Sequence, residues 1–250
     1  MTFLETDGNW GGVGRVRRKK TRVVTVGKVK IGGENPIAVQ SMTKTPTDDP
    51  QATLQQIKRL AEAGCEIVRV ALPNRNSIEG FRRICAESPL SVVADIQFDP
   101  SLALAALECG CSKLRINPGN LSKSSFCKVL EAAGEKGVPI RLGLNCGSLP
   151  SERLKKCGGD AVEALLSLCE EYVSLAEERG FYDLVLSLKS SDSLTTWRAY
   201  IKASKSFQYP LHLGVTEAGD RQYGVLKSCL LYTSDAADEG LGVDLGGRRI

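Results

Sequence analysis

The chain has 250 residues, 42% apolar and 25% charged, an ordinary balance for a globular domain. Its net charge of +4 lies mostly in RVRRKKTR (Arg15–Arg22), a short run in a chain with only 6% aromatic residues, which is too little surface to read nucleic acid. No apolar run of about 18 residues is available to cross a membrane, and MTFLETDGNWGG lacks the basic-then-apolar order of a secretory signal, so a cytoplasmic location is expected, or a plastid one in a eukaryote.

Residues 1–20 read as a basic segment expected to be mobile. RVVTVGKVKIGG then alternates apolar and polar residues around Gly27 and Lys28, which predicts a short β-hairpin. Apolar strands follow at residues 36–41, 66–72, 91–96, 113–117, 139–145, 183–189 and 211–217. Helical patterns fill the gaps. Asp49-Pro50 supplies an N-cap and a first-turn proline ahead of Leu54, Ile57, Leu60 and Ala61, and Asp99-Pro100 repeats the device ahead of Leu102, Ala105 and Ala106. Strand–helix repetition of this kind means a parallel sheet covered by helices. No G-x-G-x-x-G follows the first strand, which argues against a Rossmann unit. The fold class is α/β: a TIM-type (β/α)8 barrel over residues 21–228, truncated after its seventh strand and preceded by the hairpin.

Nine cysteines are present without any C-x-x-C pair, and several fall on helical apolar stripes. They read as reduced core thiols, and no metal ligands are expected among them.

The chemistry lies in the strands. Arg69, Arg115 and Arg141 are each flanked by apolar residues, and Lys189 ends its strand after Leu186 and Leu188. Side chains alternate across a strand, so apolar neighbours facing the helices turn these cations into the barrel. Buried cations need anionic company. Asp95 and Glu217 balance some of them, and a bound polyanion is the natural complement to the rest. Gln40, Ser41, Gln97, Asn117, Asn120, Asn145 and Ser148 add neutral hydrogen-bonding groups near strand ends, where barrels carry their sites. His212, the one histidine, reads either as a satisfied core residue or as a general base.

PIAVQSMTKT, IVRVALP, VVADIQFD, LRINPGN, IRLGLNCGSL and PLHLGVTEAG, in that order, resemble the 4-hydroxy-3-methylbut-2-enyl diphosphate synthase family, from about Thr21 to Ser228. The resemblance implies a barrel that binds 2-C-methyl-D-erythritol 2,4-cyclodiphosphate, an intermediate of non-mevalonate isoprenoid biosynthesis. It places Arg69, Arg115, Arg141 and Lys189 on the phosphates, with Asn117 and Asn145 adding hydrogen bonds. Asp95 and Glu217 fall at the family's catalytic acidic positions. The implied reaction is a reductive ring-opening dehydration at a [4Fe-4S] cluster held by a separate C-terminal domain. Flavodoxin or ferredoxin feeds the electrons, and the implied assembly is a homodimer. One departure is visible: Gln97 stands where the family usually has histidine. Two other readings stay open, a diphosphate-binding barrel module without redox activity and a pterin-type barrel enzyme.

CLLYTSDAADE and VDLGGRRI resemble the translation of a sequencing-library adapter, so residues 229–250 read as a non-native tail. The eighth strand and the cluster domain would then lie beyond this sequence. The polypeptide as given is expected to expose two strand edges and to be inactive.

Overall fold

The structure is a computed structural model that describes residues 19–96, 99–220 and 222–228. The first half of the basic run (residues 15–18), Gln97 and residues 229–250 lie outside the described residues. The hairpin forms as β1 (Val24–Val26) and β2 (Val29–Ile31), paired antiparallel. Six parallel strands then run in chain order across one sheet: β3 (Gln40–Met42), β4 (Ile67–Ala71), β5 (Ser91–Ile96), β6 (Lys113–Ile116), β7 (Ile140–Asn145) and β8 (Leu184–Lys189). The helices α1 (Pro50–Glu62), α2 (Ile78–Glu87), α3 (Pro100–Glu108), α4 (Lys123–Glu135), α5 (Ser151–Lys156), α6 (Ala161–Glu177) and α7 (Ser193–Ser206) intervene, and residues 222–228 are also helical. Carboxylates set four of these starts. Asp49, Asp99, Asp160 and Asp192 each accept a hydrogen bond from a first-turn backbone N–H.

The seventh strand expected at residues 211–217 is not a strand. It is reduced to a single parallel bridge, Leu211 against Leu186, flanked by hydrogen bonds from Leu186 N to Pro210 O and from His212 N to Leu186 O. The backbone explains the correction. Gly214 takes φ +149° and Glu217 φ +49°, so the segment leaves extended geometry just where the pattern LHLGVTE reads as alternation. Among the described residues no strand joins β3 to this segment, so the sheet is a curled, open barrel wall. Its curl is visible in one contact. Lys113 Nζ on β6 donates to Gln40 Oε1 on β3 at 3.1 Å, although three strand spacings of about 4.8 Å separate the two strands along the sheet.

Two apolar clusters hold the wall. Outward residues such as Val68, Val70, Leu114, Ile116, Leu142 and Leu186 pack against the helices. Inward residues at the N-terminal end, Ile67, Val93 and Val185, meet Val24 and Val26 of the hairpin, which plugs the barrel floor. The turn requires glycine: Gly27 has φ +58°, and a Cβ there would sit 2.5 Å from Ser91 Oγ. Beyond the plug, Arg22 lies over Tyr182 at 4.7 Å and Lys19 donates to Phe207 O at 2.8 Å, tying this end of the basic run to the barrel. Ile67 joins plug to wall, so Ile67→Ala should cost about 2–5 kcal/mol in urea unfolding, as deletion of a buried aliphatic side chain does. A loss under about 0.5 kcal/mol would show that the hairpin does not seal the floor.

Candidate active site

Parallel register assembles the site. Asp95, Arg115 and Arg141 are Cα partners in one row across β5, β6 and β7, and Asn145 and Lys189 are partners four residues higher. Two arginines side by side on one face repel each other, and the row holds only one carboxylate.

That carboxylate is shared. Asp95, 4% exposed, accepts from Arg115 Nη1 at 3.1 Å and lies 3.9 Å from Arg69 Nε. Arg115 also donates through Nη2 to Gly143 O at 3.0 Å, so its guanidinium is anchored on both sides. It lies across Gly143 so closely that a Cβ there would be 2.4 Å from Arg115 Nε. Through that same edge Arg69 donates to the Met42 thioether, with Nε at 3.1 Å and Nη2 at 2.7 Å from Sδ. Arg141 is 1% exposed, and its Nε and Nη1 have no hydrogen-bond partner, nor has Arg115 Nε. Lys189 lies against Gly214, where a Cβ would be 2.9 Å from Nζ. Glycine at positions 143 and 214 is what leaves room for the two cations.

The electrostatics follow. Burial first, then Arg141, Arg69 and Arg115, push the Lys189 ammonium down to about 7. Burial and the neighbouring arginines push Arg141 down to about 9, with Asp95 opposing, and it stays charged at neutral pH. Burial also lowers Arg69, against the pull of Asp95. Desolvation, then Arg141, Lys189, Lys113 and Arg69, push the His212 imidazole well below its ordinary value, so it is neutral. Its backbone groups are satisfied: Tyr200 donates to its carbonyl at 2.6 Å.

The expected residues do not all converge. Asp95, Arg69, Arg115, Arg141 and Lys189 share the lumen. Asn117, buried, belongs to the rim, where its Oδ1 accepts from Gly119 N at 3.1 Å and Ser148 Oγ at 3.3 Å, leaving its amide N–H groups as the free end. Glu217 stands apart from Asp95. It is exposed on a turn, near Gly147, in a left-handed conformation unusual for a residue with a side chain. Two lumen residues went unnoticed in the sequence, Lys113 and Met42. For Lys113 a signal existed, since it precedes Arg115 by two residues and therefore shares its face.

No group of three or more His, Cys, Asp or Glu side chains among the described residues could hold a metal ion. The eight described cysteines are free, and burial raises Cys85, Cys111 and Cys169. These thiols do not fit a cluster site.

The model of the GcpE TIM-barrel domain matches residues 21–234. The chain belongs to the GcpE family. It is 49% identical over 214 residues to a protein of Caldanaerobacter subterraneus subsp. tengcongensis, covering 85% of this chain and 60% of that one. It is 48% identical over 214 residues to a protein of Maridesulfovibrio salexigens, with the same coverage. Both relatives are named 4-hydroxy-3-methylbut-2-en-1-yl diphosphate synthase (flavodoxin). The chain thus spans about 60% of the length of these curated relatives. Among solved structures, the GcpE barrel resembles a dihydropteroate synthase of Xanthomonas albilineans (TM-score 0.57, 15% identity, 88% of this chain and 90% of that one). It also resembles an N-acetylneuraminic acid synthetase of Leptospira borgpetersenii (TM-score 0.58, 17% identity, 83% and 74%). At such identities the likeness is one of fold.

If Gly143 is what lets Arg115 reach its two anchors, Gly143→Ala displaces the guanidinium. Loss of one charge-assisted hydrogen bond should then weaken the binding of an anionic probe, inorganic diphosphate, roughly 10- to 100-fold while the GcpE barrel stays folded. Unchanged affinity by calorimetry would remove Arg115 from the anion site.

Proposed function

We propose that this barrel is the substrate-binding part of a 4-hydroxy-3-methylbut-2-en-1-yl diphosphate synthase of the non-mevalonate isoprenoid pathway. The substrate is 2-C-methyl-D-erythritol 2,4-cyclodiphosphate. One observation carries the reading: four cations, Arg69, Arg115, Arg141 and Lys189, crowd a lumen whose carboxylate, Asp95, is already engaged by two of them. Three arginine nitrogens there remain unpartnered. A diphosphate supplies both the missing charge and the missing acceptors.

In this reading Arg115 and Arg141 grip phosphate oxygens from adjacent strands, while Lys189 and Arg69 close on the same group. Asn117 offers N–H donors, because its carbonyl oxygen is held by the loop. Asn145 sits beside Lys189 in register and adds a further contact. Asp95 orients the arginines, and Glu217 at the rim is the proton-handling group for the oxygen that leaves. The conversion takes up two electrons and two protons, cleaves the ring C–O bond and releases one water. The redox chemistry belongs to a [4Fe-4S] cluster held outside the described residues, and the relatives' names support flavodoxin as the electron donor. A diphosphate-binding module without redox activity is the second reading, since the cation set of the lumen would serve binding alone equally well.

The full-length protein, loaded with its cluster and supplied with reduced flavodoxin, should convert the cyclodiphosphate. Glu217→Gln should lower kcat on the order of 10²- to 10⁴-fold with substrate Kd nearly unchanged. Binding without turnover would favour the module reading, and no binding would overturn both. Arg141→Met should raise the substrate Kd at least about tenfold, yet leave the ligand-free protein as stable or more so, since it deletes an uncompensated buried charge. A large loss of ligand-free stability would mean that Arg141 is a structural cation.

A further inference from the structure

Beneath the anion site lies a residue that the reading above does not use. Lys113 opens β6 on the same face as Arg115, about 6–7 Å lower along the strand. It is 0% exposed, among the largest side chains buried in the molecule. Its ammonium has one hydrogen bond, across the lumen to Gln40 Oε1 at 3.1 Å, and Gln40 carries no charge. An ammonium can make three such bonds. Arg141 on β7 and Arg69 on β4 are the cations whose charge bears on it, and His212 feels its charge in turn. Asp95 on β5 and Arg115 on its own strand stand two residues above it, and Lys189 is at the far end of β8. Asp95 is the one carboxylate in that set, and Arg115 and Arg69 occupy it. A charged Lys113 therefore has no counter-charge until an anion enters above it.

We propose that Lys113 is a buried charge switch under the anion site, uncharged while the barrel is empty and protonated when the diphosphate is held above it. The proposal rests on the diphosphate reading and makes Lys113 a positioning residue, acting on the ligand through the field of the lumen rather than by contact. Burial first, then Arg141 and Arg69, push its ammonium down to about 7, which supports the geometry. The sign follows from linkage. Folding lowers the lysine, so the empty protein binds fewer protons than the unfolded chain between about pH 7 and 10.4, and stability gains as pH rises through that window. An anion restores the proton, so its own affinity falls as pH rises over the same range.

The cyclodiphosphate suits the test, because each phosphorus carries one ester and one bridging anhydride oxygen and only a single, strongly acidic hydroxyl, with no ionisation near neutrality, so any proton taken up belongs to the protein. Calorimetry on the full-length protein at pH 8, in buffers of different ionisation enthalpy, should show about one proton fewer taken up per bound ligand in Lys113→Met than in wild type. The rise of log Kd per pH unit between about pH 8 and 9 should be shallower by about one in the variant. Lys189 contributes its own proton in both proteins and cancels from the difference. Equal uptake and equal slopes would overturn the switch.

A ligand-free measurement stands apart from the diphosphate reading. Relative to wild type, Lys113→Met should be more stable at pH 6 than at pH 9, and a difference independent of pH would also overturn the proposal. Gln40→Met combined with Lys113→Met removes the orphaned acceptor should the single variant fold poorly. If the cyclodiphosphate fails to bind wild type, the diphosphate reading falls, and the pH dependence of stability still decides Lys113.

Discussion

Everything in this barrel is arranged around an unbalanced charge. Arg69, Lys113, Arg115, Arg141 and Lys189 line the lumen against Asp95 alone. A charge removed from water without a partner costs several kcal/mol, so no apolar packing argument accounts for such a set. The arrangement persists because the sheet around it is held by its outer face, where Val68, Val70, Leu114, Leu142 and Leu186 meet the helices. Together with the apolar floor of Ile67, Val93 and Val185, that outer face carries the packing, which leaves the upper lumen free to be shaped for an anion, a division between scaffold and strained site that folded proteins commonly show.

Three devices keep the cations in place. The hairpin closes the floor with Val24 and Val26 against Ile67, Val93 and Val185, which limits water from below. Asp95 and Gly143 O clamp Arg115 from neighbouring strands. Gly143 and Gly214 withhold side chains where Arg115 and Lys189 must lie. Of these, the glycines are the most revealing, since Gly143 sits mid-strand, where a glycine ordinarily weakens a sheet.

The strand cations were legible in the sequence, because period-two alternation alone turns Arg69, Arg115 and Arg141 inward, and register then only had to bring them side by side. The Asp-Pro helix starts were equally plain, since the carboxylate cap and the preset φ act locally. Lys113 was hidden by its place at the first residue of a strand, where a lysine ordinarily reaches to solvent; its burial depends on the curl that brings β6 opposite β3. The partnership of Met42 with Arg69 is likewise a cross-strand fact with no local mark. The segment 211–217 misled in the other direction. Its apolar alternation is genuine, but Gly214 and Glu217 adopt positive φ, and a lone bridge at Leu211 is all that results. The one family departure noted in the sequence, Gln97, lies outside the described residues.

The central claim is that the lumen is a built anion site. It is tested most directly by thermal unfolding of the full-length protein with inorganic diphosphate, against chloride at matched ionic strength. A ligand specific to the folded lumen at about 100 times its Kd stabilises by roughly 2.7 kcal/mol, which should raise the midpoint by several degrees. A midpoint that responds to ionic strength alone, and equally to chloride and diphosphate, would contradict it.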